Sequence, residues 1–272
     1  MLTRILVSLV LAPLFLAILL FAHAGFVAVM IAGITALAAF ELLRATGTGK
    51  RKDITVLAVL AAALVPMCRL LLHGEWAVKA VLLLLLFALF GIAVFSYGKA
   101  DAVRAETILF SLFGGILYPM LMSSLVLLRM MDKGAFLVML PIVSAFLTDT
   151  GAYFFGMFLG KHRGIVPVSP NKSAEGFIGG LFSGVVFMLG YGLVMIHGFG
   201  LEVDLLRMAL YGFVGSFVTM LGDLSFSLIK RQYGIKDYGS LIPGHGGMLD
   251  RFDSMSFAAP VMLLLATFLP AF

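Results

Sequence analysis

The chain has 272 residues, of which 62% are hydrophobic and 12% charged, against roughly 45–50% apolar and about 25% charged in an ordinary soluble domain; lipid is therefore the solvent for most of it. The single cysteine, Cys68, excludes an internal disulfide and a thiolate zinc cluster. The net charge of +5 resides in short loops between apolar runs, a pattern of membrane orientation rather than of nucleic-acid binding.

Nine segments come near the ~20 apolar residues that a membrane span requires: about 5–22, 25–43, 54–72, 77–97, 107–128, 134–158, 174–196, 205–229 and 255–272. Runs so uniformly apolar are helices, because membrane barrel strands alternate every second residue and lipid leaves backbone groups to be satisfied internally. The first run ends at Ala22-His23-Ala24, which has the look of a leader-peptidase site, but the stretch is long for a leader and reads as a retained helix. With the N-terminus inside, fourteen of the nineteen Lys and Arg fall on the cytoplasmic side. The fold class is thus predicted to be all-α, a polytopic integral membrane protein with about nine transmembrane helices, N-inside and C-outside. No fixed-period repeat or low-complexity linker divides the chain, so 1–272 reads as one transmembrane catalytic domain. Within it, residues 1–100 are variable N-terminal helices, and 101–272 carry the polar site.

Asp149, in AFLTDTGAYFFG, is the first charge set inside an apolar run. An ionised group in lipid is expensive and functional by default, the plainer reading being a hydrogen bond to a neighbouring helix. Next comes the basic loop KHRGIVPVSPNKSAEG, 161–176, in which Asn171 and Lys172 precede a helix start and form a candidate anion site. The alternative for this loop is topogenic charge alone. Gly176, Gly180 and Gly184 follow at four-residue spacing, the close-packing pattern of membrane helices. Asp223 is the second intramembrane charge, and Ser227 and Lys230 lie at i+4 and i+7 on its helix face. The alternative for Lys230 is a side chain that snorkels to the interface.

The stretch KRQYGIKDYGSLIPGHGGMLDRFDS, 230–254, combines five glycines with Lys230, Arg231, Lys236, His245 and Arg251 and with Asp237, Asp250 and Asp253. Glycine lets successive N–H groups approach phosphate oxygens, and the basic side chains supply the counter-charge. Carboxylates beside phosphates call for a cation, and Mg²⁺ is held by one or two carboxylates plus substrate oxygens. Zinc is disfavoured, since no second His or Cys stands at ligand spacing.

The segment from Ser227 to Asp253 resembles the signature of the phosphatidate cytidylyltransferases (CDP-diacylglycerol synthases): Ser227, Lys230, Arg231, Lys236, Asp237, His245, Gly246, Gly247, Asp250, Arg251 and Asp253 all match it. DTGAYFFG at 149–156 and SPNKSAEG at 169–176 resemble the family's other polar islands, and the likeness runs from about residue 100 to the end. Met157 and Ser173 depart from the family's usual Arg and Thr. The resemblance implies a Mg²⁺-dependent nucleotidyl transfer from CTP to phosphatidic acid, giving CDP-diacylglycerol and pyrophosphate, with a second cation and a homodimer left open. It also implies a bacterial inner-membrane enzyme whose site faces the cytoplasm. The expected catalytic residues are Asp223, Asp250, Lys236, His245 and Arg251, with Asp223 and Asp250 on the metal. Asn171, Lys172, Ser227, Lys230, Arg231, Gly246 and Gly247 are expected on substrate, and Asp149, Asp237 and Asp253 in support. A CTP-dependent lipid kinase is the alternative, and an ion-coupled transporter a more distant one, since no paired inverted halves are seen.

Overall fold

The computed structural model describes the backbone of residues 2–241 and 246–272 and the side chains of residues 12–241 and 246–272. Among these residues twelve α-helices run in order: α1 Leu2–Phe21, α2 Ala24–Ala45, α3 Lys52–Cys68, α4 Gly74–Ser96, α5 Ala105–Leu112, α6 Tyr118–Met122, α7 Ser124–Met130, α8 Gly134–Leu137, α9 Met139–Leu159, α10 Ala174–Phe199, α11 Leu205–Gln232 and α12 Leu249–Phe268. Among the described residues no strand forms, and Arg163 meets Ser173 in an isolated antiparallel bridge. The all-helical expectation holds at this level.

Among the described residues six helical stretches are long and apolar enough to cross a membrane: Ala24–Ala45, Gly74–Ser96, Ala105–Met130, Gly134–Leu159, Ala174–Phe199 and Leu205–Gln232. Three predicted spans fall outside this set. Helix α3 has 17 residues, about 25 Å at 1.5 Å per residue and short of a ~30 Å hydrocarbon core. Helix α12 spends its first turns on Asp250, Arg251 and Asp253, and only the part of α1 from Ala12 onward has described side chains. Large apolar side chains stand outward on the long helices, among them Leu84, Phe87 and Phe95 on α4 and Phe158, Phe182 and Phe217 on α9, α10 and α11. So much exposed apolar surface is at home in lipid rather than in water.

The chain forms two units, Met1–Met130 with Tyr233–Phe252, and Met131–Gln232 with Asp253–Phe272. In the first, Thr35 Oγ1 lies 2.8 Å from the Ala62 carbonyl, tying α2 to α3 where lipid offers no other partner. A single π turn, Phe113–Leu117, separates α5 from α6. Its glycines permit close approach, for a Cβ on Gly115 would stand 3.0 Å from Leu85 Cδ2 and 3.1 Å from the Ala58 carbonyl. Arg129 donates to the Ala22 carbonyl at 3.0 Å, satisfying a group just past the end of α1. His23 Nδ1 accepts from Gly25 N at 3.2 Å and caps α2.

In the second unit α9, α10 and α11 pack through small residues. A Cβ on Gly176 would lie 3.0 Å from the Ala152 carbonyl, one on Gly180 3.1 Å from Ala152 Cβ, and one on Gly184 2.8 Å from Thr148 Oγ1. The spaced glycines of α10 thus serve backbone approach, as their spacing predicts. Where the helices meet, hydroxyls pair: Thr148 Oγ1 donates to Ser216 Oγ at 2.9 Å, and Ser216 Oγ donates to the Gly212 carbonyl at 2.6 Å. Tyr211 closes the unit by donating to the Leu269 carbonyl at 2.7 Å.

Candidate functional site

The predicted site residues divide between the two units. The second contains Asp149, Asn171, Lys172, Asp223, Ser227, Lys230, Arg231 and Asp253. The first contains Lys236, Asp237, Gly246, Gly247, Asp250 and Arg251. His245 lies outside the described residues.

In the second unit the basic loop after α9 is a built structure rather than a tether. Gly164 takes a left-handed φ of 74°, the Arg163–Ser173 bridge draws the loop ends together, and Ala174 N donates to the His162 carbonyl at 3.0 Å. Glu175 fastens the start of the loop: its Oε1 sits 2.6 Å from His162 Nδ1, and Oε2 accepts from His162 N at 3.2 Å. Ser173 Oγ accepts from Gly176 N at 3.1 Å and caps α10. Arg231 Nε donates to the Val168 carbonyl at 3.4 Å, joining the end of α11 to the loop's middle.

This scaffold delivers Lys172, whose Nζ forms an ion pair with Asp223 Oδ2. Both side chains are half-buried, at 28% and 27% exposure, so each keeps room for a further partner. Two residues expected in separate roles, one on phosphate and one on metal, are thus each other's counter-ions. Lys172 Nζ also lies 5.7 Å from the centre of the Phe177 ring, within cation–π range. Asp149, exposed on α9, accepts from Ser254 Oγ at 3.3 Å. It stands within electrostatic reach of Asp223, Asp253 and Lys172. Asp253 is buried at 7% exposure, and its Oδ1 accepts from Ser254 N at 2.7 Å. Along α11, Ser227 and Lys230 follow Asp223 on one face. Lys230 is buried at 9% exposure, so it is packed rather than snorkelling.

In the first unit the described arms on either side of residues 242–245 meet at Asp250. Its Oδ2 accepts from Tyr238 N at 2.8 Å and from Gly247 N at 3.0 Å, pinning both arms of the segment. Between them Gly246 has φ 81°, where an L side chain is strained. A Cβ there would sit 3.1 Å from Asp250 Oδ2 and 3.5 Å from Asp237 Oδ1. Gly246 therefore answers to both conformation and space. Lys236, Asp237 and Arg251 are exposed, as is Asn171 in the other unit.

Sequence reasoning passed over Glu41 on α2, which is 5% exposed and accepts from Leu249 N at 2.9 Å across 208 residues of chain. The signal was available: AFELLR sets an acid near the end of an apolar run, but a residue so close to a helix end reads as solvated. It passed over the His162–Glu175 clamp as well, since neither residue is unusual in a loop.

Among the described residues no three His, Cys, Asp or Glu side chains converge as a metal cage. A Mg²⁺ site does not require one, because one or two carboxylates and substrate oxygens suffice. Within each unit taken by itself, Asp149, Asp223 and Asp253 in the second and Asp250 in the first are oxygen donors, suited to that ion rather than to a soft metal.

Residues 2–269 match the family described as the cytidylyltransferase family. Proteins named phosphatidate cytidylyltransferase in Staphylococcus saprophyticus and Staphylococcus haemolyticus are each 40% identical over 134 residues, covering 49% of this chain and 50% of theirs. The Staphylococcus aureus protein of the same name is 40% identical over 139 residues, with the same coverage. The chain spans about half the length of these curated relatives in the matched region.

Proposed function

This chain belongs to the cytidylyltransferase family, and on that premise we propose that it transfers the cytidylyl group of CTP to phosphatidic acid. A phosphate oxygen of the lipid attacks the α-phosphorus of CTP, a new P–O–P bond forms, and the bond to the β-phosphate breaks to release pyrophosphate. The nucleophile is already an anion, so the protein has to align and neutralise rather than deprotonate. The observation that carries the reading is the pair of backbone amides, Tyr238 and Gly247, gathered on Asp250, in a chain whose family match covers nearly its whole length.

In this reading Asp223 and Asp250 hold Mg²⁺, an assignment that rests on the sequence pattern and on the oxygen-only donor chemistry. When bound, the ion would offset phosphate charge and polarise the α-phosphoryl group. Lys172 is half-buried against Asp223. It neutralises that carboxylate, and with Asp223 on the ion it would be available to the lipid phosphate. Lys236, His245 and Arg251 neutralise the triphosphate, and Ser227, Lys230, Arg231, Asn171, Gly246 and Gly247 line the substrates. Asp149, Asp237 and Asp253 hold these groups in register.

The proposed setting is a bacterial inner membrane, with nine spans, N-inside, and the site on the cytoplasmic face. The bias of basic residues supports it. CTP labelled at the α-phosphorus should pass its label to lipid in the presence of phosphatidic acid and Mg²⁺. Label arriving from the γ-phosphorus instead identifies a lipid kinase, and no labelled lipid from either rejects both.

A further inference from the structure

Glu41 is the one acidic residue of α2, and it is buried at 5% exposure. Its Oε2 accepts from Leu249 N at 2.9 Å, and the adjoining Met248 N lies near the same carboxylate. These two amides open α12, and helix-opening N–H groups have no partner within their own helix. An acceptor near them is ordinarily a neighbour in sequence; here it comes from a helix 208 residues away. Among the described residues Oε1 of Glu41 is buried without a hydrogen-bond partner. It is packed against Gly239, where an added Cβ would stand 2.7 Å from Glu41 Cδ and 3.0 Å from Cγ. Gly247 is pressed on the same carboxylate from the other arm, at 2.7 Å from Cδ for its own Cβ. One side chain thus touches both arms of the glycine-rich segment and the helix start that presents Asp250.

We infer that Glu41 is a positioning residue: from α2 it caps α12 and fixes the two arms of the glycine-rich segment, so that Asp250 and the Gly247 amide are held in their working geometry. Its catalytic consequence rests on the function proposed above, whereas the capping itself does not. A carboxylate can accept from both Met248 N and Leu249 N, and its charge complements the positive end of the helix. Gln keeps the length and one acceptor; Ala keeps neither. Gly239 has to lack a side chain because the carboxylate occupies that space.

Three variants of the full chain in detergent, Glu41→Ala, Glu41→Gln and Gly239→Ala, test this, together with the double variant Glu41→Ala/Gly239→Ala. Amide hydrogen exchange at Met248 and Leu249 should quicken by roughly tenfold in Glu41→Ala, the loss of a buried charge-assisted hydrogen bond, and should return toward wild type in Glu41→Gln. Gly239→Ala should quicken exchange in the native background and add little where Glu41→Ala has vacated the space, a non-additive pair. In turnover per folded protein, Glu41→Ala should lower kcat by about tenfold and raise the Mg²⁺ concentration for half activity, with partial recovery in Glu41→Gln. Unchanged exchange at Met248 and Leu249 in Glu41→Ala overturns the capping role whether or not the protein makes CDP-lipid. Altered exchange with kcat and Mg²⁺ dependence at wild-type values overturns the positioning role. Failure of wild-type protein to label lipid from CTP would count against the proposed function alone.

Discussion

At the residue scale, the pairing of Lys172 with Asp223 changes what each is expected to do. An ammonium beside a carboxylate lowers that carboxylate's affinity for a cation, while the same ammonium is available to a phosphate. Lys172→Ala is therefore predicted to raise KM for phosphatidic acid and, in the opposite sense, to lower the Mg²⁺ concentration needed for half activity. Steady-state kinetics across a Mg²⁺ series reads both, and movement of neither would leave Lys172 a topogenic charge. Lys236, exposed in the other unit, is proposed to act on the triphosphate, and Lys236→Ala should lower kcat as well as raise KM. The proposal that Asp223 and Asp250 serve one ion makes a separate demand. Asp223→Asn and Asp250→Asn should each abolish turnover in folded protein, and the double variant should be scarcely worse than either single one, as expected of groups acting as a unit. Substantial Mg²⁺-dependent activity in either folded single variant would sink the shared ion.

At the scale of elements, α10 contains glycines of two kinds that look alike in sequence. Gly184 faces Thr148 and Ser216, and a Cβ there has no room, whereas nothing lies within 4 Å of a Cβ on Gly190. Gly184→Ala should destabilise the protein by about 1–3 kcal/mol through overpacking, while Gly190→Ala should be neutral or stabilise by about 0.4–1 kcal/mol through reduced unfolded-state freedom. Thermal unfolding of the purified protein in detergent separates them, and equal shifts would contradict the packing account. The four-residue spacing of Gly176, Gly180 and Gly184 was legible because interhelical approach follows helical periodicity. The basic loop was legible only as charge. Its fold depends on the His162–Glu175 contact and the Arg163–Ser173 bridge, which a linear pattern does not announce.

At the scale of the whole molecule, the nine-span proposal places the C-terminus outside. A reporter fused after Phe272 should be active on the extracytoplasmic side, and cytoplasmic activity there would require one crossing fewer or more. Helices α1, α3 and α12 are where the count would change, since α3 is short and α12 begins with charges. The amino-acid sequence by itself determined the solvent, the helical class, the polar segments and the family resemblance, because these depend on composition, run length and local spacing. It also singled out Asp149, Asp223 and Asp250 as charges needing an explanation. Only the tertiary structure decided which partners those charges take: Lys172 for Asp223, Ser254 for Asp149, the Tyr238 and Gly247 amides for Asp250, and Glu41 at the start of α12. Partner choice joins elements that meet only in the folded chain, and no local spacing reports which donor will meet which acceptor.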